Sequence, residues 1–153
     1  MGCDIHSNAE RKTESGFEKI SGLEPFGWRS YGMFGFLANV RNYSDVPPIA
    51  ERRGVPEDMS PEVAKDYEGW GMGAHGASWL SVEELAAFNY DAKMEDRRVT
   101  RQTGPSSWNG GCTAEPGGGK ETTFREFLRE GFFADIQKLK DAGADRIVFW
   151  FDS

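Results

Sequence analysis

Cysteine is scarce in this chain: Cys3 and Cys112 are the whole supply, and no CxxC spacing occurs. Two such residues make neither a disulfide framework nor a cysteine zinc site, so a reduced, cytosolic setting is expected. Long apolar runs are missing too. No window approaches the roughly 18 consecutive apolar residues of a membrane span, and no membrane partner is expected. The opening residues lack a basic stretch followed by an apolar run, so no secretory leader is expected. MGC imitates a lipid attachment signal, but His6 stands where that signal wants Ser or Thr, and nothing polybasic follows. Positive charge is also short: 18 Lys and Arg stand against 25 Asp and Glu, a net charge of -7. That balance excludes general nucleic-acid binding, which needs a basic surface. It suits a basic partner, or leaves room for a local basic pocket.

Aromatic side chains are plentiful. Eleven Phe and five Trp in 153 residues supply large apolar surfaces, enough for one domain to bury a core without staples. From Gly2 to Ala9 the residues alternate, with Cys3, Ile5, Ser7 and Ala9 facing one way and Asp4, His6 and Asn8 the other. This predicts a half-buried strand, with Phe17 to Ile20 as its hairpin partner. The segment from Trp28 to Arg41 suits a short buried helix despite Gly32 and Gly35. Residues 45–58 carry Pro47, Pro48, Gly54 and Pro56 and read as irregular. Ser60-Pro61-Glu62 opens a helix through Tyr67, and the capping box Ser81-Val-Glu-Glu84 opens another to about Phe88. Residues 103–120, rich in Gly, Pro and Ser, read as a long mobile loop within the domain. Thr123-x-x-Glu126 starts the strongest helix. Its stripe is Phe124, Phe127, Leu128, Phe132, Ile136 and Leu139, and Gly143 ends it. Arg146 to Asp152 is apolar on both faces and belongs inside a sheet. The fold class expected is α+β: a single domain over 1–153, its N- and C-terminal strands paired in a small mixed or antiparallel sheet packed by helices.

Two glycine motifs lack their context. Gly71-Met-Gly-Ala-His-Gly76 matches a dinucleotide fingerprint in letters, but a helix precedes it where a strand is required. Gly117-Gly-Gly-Lys120 has Ala114 and Glu121 where a phosphate loop needs Gly and Ser or Thr.

The candidate site is a constellation. Asp4 and His6 emerge on the same strand face about 7 Å apart. Such a pair sets a histidine tautomer, or binds one metal from a shared face. His75 lies in a glycine-rich turn, and Asp152 lies near the far end of the last strand. Pairing of the terminal strands gathers Asp4, His6, His75 and Asp152 as ligands for a divalent metal ion. Asp4, His6 and His75 are the catalytic candidates. Arg41, Arg53, Ser78 and Trp79 are the ligand-binding candidates, since guanidinium pairs bidentately with phosphate and an indole offers a stacking platform. The bland alternatives stand beside these: a solvated strand face, a backbone-bonded histidine, internal arginine salt bridges. Arg97, Arg98 and Arg101 beside Trp108 form a further basic run, open to ligand binding or to simple solvation.

The opening MGCDIH, the segments NVRN, PIAERRGVPEDMSPEV and HGASWLSVEEL, and the ending RIVFWFD together resemble a family of small proteins of tailed phages and prophages. The likeness covers most of the chain outside 12–28 and 92–121. Members tend to carry proline where Arg52 stands, so the resemblance favours Arg53 as an anion binder. It implies a phage accessory role in the host cytoplasm. By analogy, such proteins sequester or cleave host-defence signalling nucleotides, or sit on a host protein. Three functions are therefore expected in competition. The first is a pocket that binds a phosphorylated small ligand and, with a divalent metal, hydrolyses a phosphate ester. The second is a non-catalytic acidic inhibitor docking on a host defence protein through its acidic surface and the 103–120 loop. The third is a structural or housekeeping phage component.

Overall fold

The computed structural model describes residues 2–105, 107–112 and 117–153, with the backbone course alone described for 99–104 and 107–112. Eight strands and four helices follow in the order β1 (Asp4–Thr13), β2 (Gly16–Lys19), α1 (Tyr31–Ala38), α2 (Pro61–Trp70), β3 (His75–Ser81), α3 (Val82–Ala87), β4 (Lys93–Asp96), β5 (Arg98–Gly104), β6 (Ser107–Cys112), β7 (Lys120–Thr123), α4 (Phe124–Asp141) and β8 (Arg146–Asp152). A turn of 3-10 helix, Gly71–Gly73, joins α2 to β3.

The main sheet has the order β2-β1-β8-β3, and every pairing in it is antiparallel. The two terminal strands are neighbours, with Asp4 opposite Asp152, His6 opposite Trp150 and Glu10 opposite Arg146. β8 has six of its seven residues buried, with Asp152 half-buried at its end, because it lies between β1 and β3 and carries layers on both faces. On one face Ile5, Ala9, Leu80, Ile147, Phe149 and Phe151 join α1, α3 and α4 in the main core. On the other, Val148 and Trp150 pack under Val63 and Tyr67 of α2, with Trp79 alongside. The fold is an α+β domain, with helices on both sides of a central antiparallel sheet.

Local sequence accounts for the helix ends. Ser81 and Glu84 form a reciprocal capping box, which satisfies two otherwise orphaned amides. Pro61 follows the Ser60 cap of α2, where a missing N–H costs nothing. At the end of α4, Gly143 N–H reaches Lys140 O at 3.0 Å and Ala144 N–H reaches Leu139 O at 3.0 Å. That double closure is a Schellman motif, with Gly143 at φ 70.

Several expectations are adjusted. The first strand begins at Asp4 and runs to Thr13, and α2 extends to Trp70. α4 is broken at Arg129 (φ 69, ψ 173), yet all six residues of its predicted stripe are buried. The segment read as a loop over 103–120 contains β6, paired with β5, and the first residue of β7. Residues 113–116 of that loop lie outside the described residues, as do the side chains of Arg101 and Trp108. The glycine motif at 71–76 leads into a strand, which removes the helix N-terminus a dinucleotide would need. Among the described residues no helix is long and apolar enough to cross a membrane.

Candidate functional site

The end of the sheet where β1 starts, β8 ends and β3 starts carries the predicted constellation, divided between two faces. The even positions of β1 and β8 share the α2 face. There His6 Nε2 lies 3.0 Å from Asp152 Oδ2. An ionised carboxylate only accepts, so Nε2 carries the hydrogen and Nδ1 keeps the lone pair in the neutral ring. The imidazole also stacks on the Trp70 indole, with centroids 4.1 Å apart and planes tilted by 35°. The Asp4 amide donates to the other Asp152 oxygen at 3.3 Å. The Asp4 carboxylate turns to Arg29, taking two guanidinium bonds of 2.9 Å each. That fork holds the Asp4 carboxyl below its ordinary pKa.

His75 sits elsewhere. It is the first residue of β3 rather than part of the preceding turn, and it pairs with Phe151. A bulge between His75 and Ser78 puts an extra residue opposite β8. Simple alternation from Trp79 would pair His75 with Asp152, on the Trp150 face; the bulge moves it to the Phe151 side. Gly76 makes the bulge possible. Its φ is +63, and a Cβ there would lie 2.7 Å from Val40 Cγ2 and 3.1 Å from Phe151 Cδ2. The four predicted metal ligands therefore do not converge. His6 and Asp152 engage each other, Asp4 is taken by Arg29 and His75 faces away. Among the described residues no three His, Cys, Asp or Glu side chains are grouped to hold an ion.

On its own face His75 meets Arg41. His75 Nε2 and Ser153 Oγ are 2.8 Å apart. Arg41 directs Nη2 to the same Oγ at 3.5 Å and Nη1 to the Tyr43 hydroxyl at 3.1 Å. Its guanidinium lies 5.8 Å from the Tyr31 ring centroid. The Tyr43 hydroxyl, as its main partner, keeps the Arg41 pKa raised.

The backbone that presents these groups is contorted. Asn39, Arg41 and Asp45 all have positive φ, at 57, 49 and 51, a region that L-residues other than Asn and Asp rarely enter. Asn42 pins this segment. Its Nδ2 donates to Asn39 Oδ1 and to Val46 O at 2.8 Å each, and its Oδ1 accepts from Val46 N–H at 2.9 Å. Gly35 leaves the room in which the Asn42 side chain packs.

Arg41 differs from the other described arginines. Arg11, Arg29, Arg53, Arg97, Arg98, Arg125 and Arg146 each face a carboxylate. Arg52 is exposed, as is Arg129. Among the described arginines, Arg41 is partly buried with hydroxyls and an aromatic ring as its partners rather than a carboxylate.

The remaining candidates form a clamp of their own. Arg53 makes two 2.7 Å bonds to Glu84 and lies 4.6 Å over the Trp79 ring. Its backbone N–H donates to Ser78 Oγ at 3.0 Å, and Ser78 is buried. These contacts tie the irregular 51–58 segment to β3 and to the cap of α3. They explain Arg53, Ser78 and Trp79 as a set without a ligand. The arginine fork also lowers the Glu84 pKa.

Arg29, Trp70, Tyr43 and Ser153 were not singled out by sequence reasoning. Nothing in the sequence marks the hydroxyl partners of Arg41, which stand 2 and 112 positions away.

No protein family, no characterised protein and no solved structure matches the chain.

Proposed function

We propose that this chain binds a phosphorylated small ligand at the end of its central sheet, with Arg41 as the anion seat and His75, Ser153 and Tyr43 as its neighbouring donors. The observation that carries the reading is that two costly backbone features serve one meeting point. A left-handed arginine and a glycine bulge together bring a guanidinium, an imidazole and two hydroxyls to the same face. Strained residues concentrate at functional sites. In an acidic protein, an arginine with no carboxylate contact among the described residues is the natural place for phosphate, which guanidinium grips bidentately. The likeness to small phage proteins supports a setting in the host cytoplasm and an accessory role against host defence. Ribose 5-phosphate titrated calorimetrically tests the reading. Arg41→Ala should weaken binding about ten- to a hundredfold, Arg41→Lys should restore part of it, and binding should weaken with salt. Binding that Arg41→Ala leaves intact refutes the assignment.

A second reading, an acidic inhibitor that docks on a host protein, is favoured by the tip of α2. Met72 is 103% exposed and Trp70 37% exposed, beside the exposed acids Glu62, Asp66 and Glu68. A salt-sensitive stoichiometric partner recovered from host lysate and lost with Trp70→Ala plus Met72→Ala would support it, whereas recovery unaffected by that double change would exclude this surface.

A further inference from the structure

We infer that the ligand is a nucleotide, recognised through its base by stacking on Tyr43; the inference rests on the phosphate seat at Arg41. Tyr43 performs two tasks with different parts of one side chain. Its hydroxyl accepts from Arg41 Nη1 at 3.1 Å, so the hydroxyl end of the ring stands at the anion seat. The residue as a whole is 56% exposed, a large value for an aromatic residue. Its one aromatic neighbour among the described residues is Tyr31, at 6.0 Å and an interplanar angle of 65°. At that angle Tyr31 is not stacked face to face on Tyr43. Tyr31 is itself fixed, since its hydroxyl accepts from the Cys3 amide at 3.1 Å and Arg41 lies over its ring.

Solvent exposure of a phenol ring costs apolar burial, yet here the side chain is held by its hydroxyl contact to Arg41 and by the Tyr31 ring beside it. The backbone beneath it is equally constrained, because Tyr43 N–H donates to Arg41 O at 2.9 Å and Asn42 closes the segment on Val46. A rigid open ring is a platform whose ordering is already paid for before a base arrives. A ligand anchored by phosphate at Arg41 and Ser153 carries its sugar and base outward past that ring. Any base has a π-face to offer, so stacking selects nucleotides as a class over sugar phosphates and inorganic phosphate without reading a particular base.

The test compares three probes (inorganic phosphate, ribose 5-phosphate and a nucleoside 5′-monophosphate) by calorimetry on the full chain. Wild type should bind the nucleotide about tenfold more tightly than ribose 5-phosphate. Tyr43→Phe keeps the ring and loses the hydroxyl, so it should lower both affinities while preserving their ratio. Tyr43→Ala should bring the ratio to one. Melting curves of both variants confirm that the exposed side chain was removed without loss of fold. Equal affinities in wild type, or a ratio that survives Tyr43→Ala, overturns the stacking inference while the phosphate seat stands. Failure of all three probes to bind, or binding indifferent to Arg41→Ala, overturns the seat and the inference together.

Discussion

Glu10→Ala should be the most damaging single change in the β1–β8 pair. Glu10 has no exposure and Arg146 has 6%. One carboxylate oxygen takes Arg146 Nε at 2.7 Å, and the other takes the Ser60 amide at 2.7 Å. The guanidinium lies 3.4 Å over the Phe17 ring centroid and reaches Asp58 Oδ1 at 2.9 Å. Removing one partner of a buried pair costs about 3–5 kcal/mol, because the other charge is left uncompensated. Asp58 remains, but its side chain is 68% exposed, so the lower end of that range, about 3 kcal/mol, applies. The Ser60 amide, cap of α2, loses its acceptor in a buried place, for about 1 kcal/mol more. A total near 4 kcal/mol is a large part of a domain's stability, and at this chain length it lowers the melting temperature by about 8–16 °C. Urea and thermal unfolding measure it. Glu10→Met combined with Arg146→Met should recover most of the loss, since a well-packed apolar pair replaces both charges. A Glu10→Ala loss below about 1 kcal/mol, or a double variant less stable than the single one, would refute this account of the pair.

Three further outcomes are expected. Gly76→Ala adds a Cβ in a left-handed position against Val40 and Phe151 and should cost about 2–4 kcal/mol in a thermal melt; it should also weaken phosphate binding, because His75 leaves Ser153. Glu84 has its folded pKa depressed by Arg53 from the ordinary 4.5. Its contribution is therefore present above that value and lost as pH falls through the lowered one, so Glu84→Gln should flatten the acid limb of a stability-against-pH curve below about pH 4.5. His6→Gln removes the imidazole from the Trp70 ring and should change tryptophan emission, yet leave ribose 5-phosphate affinity within about twofold, as His6 lies on the other sheet face. A tenfold loss of that affinity would show that the two faces act as one site.

The fold was legible where one residue pattern admits one structure. Arg146 to Asp152 is apolar at successive positions, and only a strand covered on both faces tolerates that. The capping box at Ser81 and the glycine after α4 fixed their helices by local hydrogen bonding alone. Pairing of the terminal strands followed from the same logic, and it brought Asp4, His6 and Asp152 to one place. The division of the site was not legible. A single bulge reverses the face of every residue before it, and Gly76 signals one only if HGASW is read as a strand, whereas the sequence reading places His75 in a turn. The arginines were ambiguous for a different reason. Arg41 and Arg53 carry the same charge, and only the folded chain shows that one meets Glu84 while the other meets hydroxyls. β6 was hidden by composition, since Gly and Ser obscure a strand whose pairing comes from backbone groups.

The position of β8 has a consequence for synthesis. The middle of the sheet is assembled from residues 146–152, whereas β1 is translated more than a hundred residues earlier. Until that late segment leaves the ribosome, both β1 and β3 wait with open ladder edges, the condition that invites intermolecular pairing. Closure then demands contacts of long sequence separation, which form slowly. Nascent chains of this protein are therefore expected to lean on chaperones until β8 has been translated, and the Arg41–Ser153 contact of the proposed phosphate seat forms only then.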